Sequence, residues 1–169
     1  VVQACALRSF SGIGLYTREV LLQLPATDPS VRFTVIFDRP EVRDRELALT
    51  KAGEAPNVAP LLVPWGPFAP AGQVFLPTRL RRMRADVFHS PNYMLPFRAF
   101  RPGGRGPLRA AVTIHDLIPL IFPHFTPRAL KTRLLPVFRR VIREAARRAA
   151  VILVPSRSSA EDVIRELRI

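Results

Sequence analysis

Six short apolar runs, separated by helical or Pro/Gly-rich stretches, constrain the fold of this chain most tightly. They are Val1–Ala4, Val31–Phe37, Pro60–Val63, Asp86–His89, Ala110–Ile114 and Val151–Val154. Each is nearly continuous in apolar side chains, which is how strands read when a parallel sheet is covered on both faces. Helical patterns lie at Leu15–Leu24, Gln73–Met83, Arg128–Ala149 and Ser158–Leu167. Strands alternating with helices predict an α/β fold, a parallel sheet with helices on both faces. A length of 169 residues fits one such domain, and a 48% hydrophobic content excludes a disordered chain.

Over 128–149, Leu130, Leu134, Phe138, Val141, Ile142 and Ala145 recur at helical spacing, with arginines filling much of the rest. Pro136 predicts a kink or a split there. Ser158-x-x-Glu161 reads as a capping box opening the last helix. Ala55–Gly72 and Arg101–Pro107 read as loops. The chain opens without Met inside its first strand and stops directly after a helix, so it reads as an excised domain. Ala55 to Thr78 is uncharged and long enough to span a membrane, but Pro56, Pro60, Pro64, Pro67, Pro70 and Pro77 break any helix there.

Net charge is +13, and apart from Lys51 and Lys131 all 26 basic residues are arginines. Arginine forks match phosphate and carboxylate oxygens, so an anionic partner is one reading and charge spread over solvated faces is the other. A basic module lying on an anionic membrane, through Arg79, Arg81, Arg82, Arg84 and the helix at 128–149, is the alternative functional class. Most of the eleven phenylalanines lie in apolar strands or Pro-rich loops rather than interleaved with arginine, which argues against a nucleic-acid partner. The single Cys5 excludes an internal disulfide and fits a reducing compartment. Three separated histidines give no metal-ligand spacing. Neither a G-x-S-x-G elbow nor a Walker A sequence is present.

In parallel α/β sheets ligands bind beyond the carboxyl ends of the strands. After the first strand come Arg8, Ser9 and the stretch Ser11-Gly12-Ile13-Gly14-Leu15-Tyr16. Glycines at a strand-to-helix turn admit a close ligand, and the helix N-terminus behind them favours phosphate, although such a pair also occurs in ordinary turns. After the fourth run come His89, Ser90, Pro91, Asn92 and Tyr93, after the fifth His115 and Asp116, and after the sixth Pro155, Ser156 and Arg157. His115 is the sharpest candidate: a strand-end imidazole can exchange a hydrogen bond with a substrate hydroxyl while Asp116 fixes the loop. A histidine satisfied by backbone groups is the competing reading. His89 holds the matching place on another strand, and His124 carries little weight.

Together these pieces resemble the N-terminal domain of a family-four retaining glycosyltransferase of GT-B architecture. The stretches that carry the resemblance are 11–18, Asp86-Val87-Phe88-His89-Ser90-Pro91-Asn92-Tyr93, Val112-Thr113-Ile114-His115-Asp116-Leu117-Ile118-Pro119 and 151–159. The resemblance implies a Rossmann-like sheet, one half of a GT-B fold, with a C-terminal donor-binding domain absent from residues 1–169. It implies a cytoplasmic enzyme that moves a sugar from a nucleotide-sugar to a glycan or lipid-linked acceptor, in peripheral contact with the inner membrane face where the acceptor is lipid-linked. No cofactor is implied beyond the nucleotide-sugar co-substrate, and no metal. Gly12, Gly14 and Asp116 would lie near the donor phosphates or sugar, His115 would touch the transferred sugar, and Tyr16, His89, Asn92 and Tyr93 would face the acceptor. The glutamate pair of the donor domain has no counterpart here, so the isolated chain is expected to be inactive.

Overall fold

The computed structural model describes residues 1–8, 11–66, 68–126 and 130–169. Its strands are β1 (Val2–Gln3), β2 (Phe33–Phe37), β3 (Val58–Leu62), β4 (Val87–Ser90), β5 (Arg109–Thr113) and β6 (Val151–Leu153). They form one parallel sheet in the order β3-β2-β1-β4-β5-β6. The chain therefore builds outward from β1 in one direction, crosses back, and builds outward in the other. Between β1 and β4 the connections diverge, and a crevice opens at the carboxyl ends of those two strands. All six expected strands are present with shifted ends: Val31 precedes β2, and β3 starts at Val58. Pro60 is tolerated in β3 because β3 is a sheet edge.

The helices are α1 (Gly12–Thr27), α2 (Pro40–Thr50), α3 (Pro70–Arg82), α4 (Ile118–Ile121), α5 (Leu130–Arg133), α6 (Leu135–Arg148) and α7 (Arg157–Leu167). They cover both faces of this Rossmann-like α/β sheet. Val35 and Phe37 belong to a cluster with Val2, Leu21 and Val42, which packs α1 and α2 on one face. Ile36 points the other way, into a larger cluster with Leu76, Phe88, Val112, Ile142 and Val163, where α3, α6 and α7 pack. Val151 and Leu153 of the edge strand β6 and Val87 of β4 nevertheless stay exposed.

The helix α2 was not expected from the sequence. Its inner face presents Val42, Glu46 and Thr50, so two of the three buried positions are polar and no apolar stripe marks it. Glu46 is fully buried and accepts from Arg18 Nε at 2.7 Å, Arg18 Nη2 at 2.9 Å and Arg45 Nε at 2.9 Å. Burial pushes its pKa up, but the hydrogen bonds and charges of Arg18 and Arg45 outweigh this and hold the carboxyl below its usual range. Arg45 Nη2 also donates to the Leu7 carbonyl at 2.8 Å. The group ties α1 and α2 to the 3-10 turn Cys5–Arg8 that leads from β1 into α1.

Helix ends differ from expectation at α1, α3 and α7, and the split that Pro136 predicts is present. The helix α1 runs past Leu24 and Pro25 to Thr27. The long helix is split at Leu134 and restarts as α6 with Pro136 in its first turn, where a missing N–H costs nothing. Phe138, Ile142 and Ala145 are buried as spaced, whereas Leu134 is exposed, and Arg128 and Ala129 lie outside the described residues. The cap of α7 is Ser156, whose Oγ accepts the Ser159 amide at 3.1 Å. Ser158 is exposed inside the helix, and Glu161 pairs with Arg157. The stretch Ala55–Gly72 contains β3 and the start of α3, and Arg101–Pro107 contains a 3-10 turn, Pro102–Gly104.

Candidate functional site

Ser11 caps α1 with extended backbone, and its Oγ accepts the Gly14 amide at 3.2 Å while its carbonyl accepts the Leu15 amide at 2.9 Å. The Gly14 amide is thereby spent inside the protein. Gly12 and Ile13 supply the first-turn amides that lack a partner among the described residues. A Cβ at Gly12 would meet no atom within 4 Å, so the fold makes no demand for glycine there and the space above the turn is open.

One turn on, Tyr16 stands edge-on to two imidazoles. Its ring centroid is 6.3 Å from that of His89 at 87° and 5.1 Å from that of His115 at 82°. Thr113 Oγ1 donates to the Tyr16 hydroxyl at 3.1 Å and lies 3.1 Å from His89 Nε2. With the threonine hydrogen given to Tyr16, the His89 ring donates to Thr113, and the phenolic hydrogen of Tyr16 is left for another acceptor. His89 is 8% exposed. Burial, with the Val1 amino charge adding to it, pushes its pKa down to about 4, so the ring is neutral at neutral pH.

His115 is held from two sides. Its Nε2 donates to the Pro91 carbonyl at 3.0 Å, and its own carbonyl accepts from Ser159 Oγ of α7 at 3.2 Å. A carbonyl can only accept, so Nε2 carries the hydrogen and Nδ1 of the neutral ring is an acceptor. The Asp116 carboxylate accepts the Ile118 amide at 3.1 Å and so shapes the entry to α4. On the other side of β4, Gln3, Arg8, Phe68, Asn92 and Met94 line a recess of about 200 Å³. Arg8 is committed there to Asp38, with Nε donating at 2.9 Å, and Gly66 makes room because a Cβ would come within 2.8 Å of the guanidinium.

Tyr16, His89, Thr113 and His115 fall inside one match: the model of Glycosyltransferase Family 4 fits residues 10–169. The chain belongs to Glycosyltransferase Family 4. No curated protein and no solved structure matches it. Membership makes glycosyl transfer the chemistry of this domain, with a sugar donor and an acceptor as its substrates in general.

The family-4 domain brings Gly12, Gly14, Tyr16, His89, His115 and Asp116 to one rim of the sheet, at the start of α1 and the ends of β4 and β5. Asn92 sits apart in the recess, its Oδ1 turned back to accept the Tyr93 amide at 2.7 Å. Tyr93 is 7% exposed and packs edge-on against Phe138 at 5.2 Å. Burial, then the Asp116 charge, push its hydroxyl pKa up to about 12. Ser9 lies outside the described residues. Sequence reasoning missed Thr113 and Ser159. Thr113 was legible only as a hydroxyl in an otherwise apolar strand, and Ser159 only as part of a helix start. Among the described residues no three His, Cys, Asp or Glu side chains gather to hold a metal, and no helix is long and apolar enough to cross a membrane.

Proposed function

We propose that this domain is the acceptor-side half of a retaining glycosyltransferase that moves a sugar from a nucleotide-sugar to a glycan or lipid-linked acceptor. The donor-binding half of the GT-B pair is supplied from outside residues 1–169. The observation that carries the reading is the meeting of Tyr16, His89 and His115 beside the start of α1 and the ends of β4 and β5.

The amides of Gly12 and Ile13 and the α1 dipole face the donor diphosphate and stabilise the charge that develops as it leaves. Gly12 contributes by being small, and Gly14 by completing the cap. His115 Nδ1 accepts a hydrogen bond from a hydroxyl of the transferred sugar and fixes its orientation, while Asp116 holds the loop. The Tyr16 hydroxyl and Asn92 contact the acceptor, and His89 and Tyr93 support them from below. Transfer needs no cofactor beyond the nucleotide-sugar.

The test is sugar transfer by the native gene product that carries this domain. His115→Ala is expected to lower kcat by about 10²-fold, the scale of losing one preorganised transition-state contact. Its far-UV spectrum should stay unchanged, because among the described residues the ring's one protein hydrogen bond is to the Pro91 carbonyl. Full turnover in the folded variant removes His115 from the site and the reading with it.

A further inference from the structure

The recess of about 200 Å³ lies at the carboxyl ends of β1 and β4, neighbours at the point where the strand order reverses. Gln3, Cys5, Arg8, Phe68, Asn92 and Met94 line it, and Arg8 is the one charged side chain in the lining. It is smaller than the roughly 300 Å³ at which pockets for drug-sized ligands begin, so it suits a single small group.

Its polar side chains are committed unevenly. Only Gln3 and Asn92 bring a side-chain oxygen to the lining, and both oxygens are already accepting. Asn92 Oδ1 takes the Tyr93 amide at 2.7 Å. The Ser90 hydroxyl hydrogen is shared between Gln3 Oε1 at 3.2 Å and the Met94 carbonyl at 2.9 Å. The Pro91 carbonyl takes His115 Nε2 at 3.0 Å. Arg8 gives its Nε to Asp38 Oδ1 at 2.9 Å and its Nη2 to Asp38 Oδ2, and that carboxylate is 1% exposed and outside the lining. What remains is N–H: the Nη1 edge of Arg8, the Nδ2 group of Asn92 and the Nε2 group of Gln3. None of these has a partner among the described residues.

A recess that keeps donors and has spent its side-chain oxygens selects a group that only accepts. A sugar hydroxyl would need an acceptor for its own hydrogen, whereas an oxyanion needs none. The guanidinium adds a charge-assisted bond and is held ready by Asp38. Donors arrive from three segments, β1, the 3-10 turn Cys5–Arg8 and the turn after β4, which suits a tetrahedral ion with three free oxygens better than a planar carboxylate with two. At the edge, the Phe68 ring is 56% exposed and stands 6.2 Å from that of Tyr93, an apolar wall for a carbon skeleton.

We propose that this recess binds the phosphoryl group of a small phosphorylated sugar, which makes the acceptor an anionic one. Its assignment to the acceptor rests on the acceptor-side reading; the binding itself is measured without sugar transfer.

The isotopically labelled 169-residue chain is titrated with glucose 6-phosphate, with glucose and with uridine diphosphate, and followed by nitrogen–proton correlation spectra. The side-chain signals of Arg8 Nε, Gln3 Nε2 and Asn92 Nδ2 should move with glucose 6-phosphate and stay in place with glucose. Asn92→Asp keeps the oxygen that accepts the Tyr93 amide and turns the free donor into an anionic oxygen. Read from the Arg8 and Gln3 signals, its affinity for glucose 6-phosphate should fall by about 10-fold or more. Arg139→Gln removes the same unit of charge from α6 and should leave affinity within about 2-fold. Unchanged backbone signals elsewhere show that each variant is folded. Recess signals that stay still, that move as far with glucose, or that report equal losses in the two variants overturn the proposal. Movement with uridine diphosphate but not with glucose 6-phosphate gives the recess to the donor and overturns it as well. Turnover by His115→Ala is a separate readout, so the phosphoryl site can fail while the acceptor-side reading stands.

Discussion

His89 shows what one side chain owes to contacts far away in sequence. Its place at the end of an apolar run was legible, but its partner Thr113 is 24 residues away and Tyr16 lies 97 residues from that threonine. No local pattern encodes such a chain of hydroxyls. The consequence is a pH dependence of known sign. Burial holds the folded-state pKa near about 4 against an unfolded value of 6.5, so below 6.5 the unfolded chain binds a proton that the folded one refuses. Stability from this group is therefore complete above 6.5 and falls as pH drops towards 4, by about 3 kcal/mol at most, since each pKa unit is worth about 1.4 kcal/mol. His89→Gln keeps a donor for Thr113 and removes the titration. Urea unfolding between pH 7 and 4.5 should show a shallower loss of stability in the variant, and parallel curves would show that His89 takes no part in the acid response.

At the scale of elements, the strands were legible but α2 and the one-turn α4 were not, and for α2 the reason is physical. The parallel strands are apolar runs because the sheet core encloses most of them, and the long helix shows its stripe through Phe138, Ile142 and Ala145. The helix α2 hides because its inward positions include Glu46 and Thr50, which only Arg18 and Arg45 make tolerable. Glu46→Ala strands both guanidinium groups at the α1–α2 contact, and denaturant unfolding should report a loss of about 3 kcal/mol, the scale of breaking a buried ion pair. A loss under about 1 kcal/mol would mean that the arginines relax into water at no cost. The cap of α7 separates pattern from geometry in the same way. Ser158-x-x-Glu161 has the spacing of a capping box, yet Ser156 bonds the Ser159 amide and Ser158 is exposed. Ser156→Ala should therefore cost about 1 kcal/mol and Ser158→Ala nearly nothing, because only the first frees an amide. The reverse order would restore the sequence reading. Since Ser159 also holds the His115 carbonyl, this helix start bears on the candidate site as well as on stability.

For the whole molecule, the alternation of strands and helices made the class legible, but strand order depends on which way each crossover turns, and that order sets which strand ends flank the crevice. The sequence named candidates after strand ends, but their division between the α1 rim and the Asn92 recess was not legible in it. Charge belongs to this scale too. The chain has 13 acidic residues against 26 basic ones, and many of the acids, among them Asp38, Glu46, Glu144 and Asp162, already hold an arginine. The remaining excess of +13 repels itself across the molecule. Most of the pairs are exposed and contribute little, so screening removes more repulsion than attraction. Raising NaCl from about 10 mM to about 200 mM shortens the screening length from about 30 Å to under 10 Å, and the melting temperature should rise. A falling melting temperature would instead mean that local pairs such as the Glu46 group outweigh the long-range field. The two responses have opposite signs, so a salt series read by thermal unfolding decides which of them governs the stability of a chain this basic.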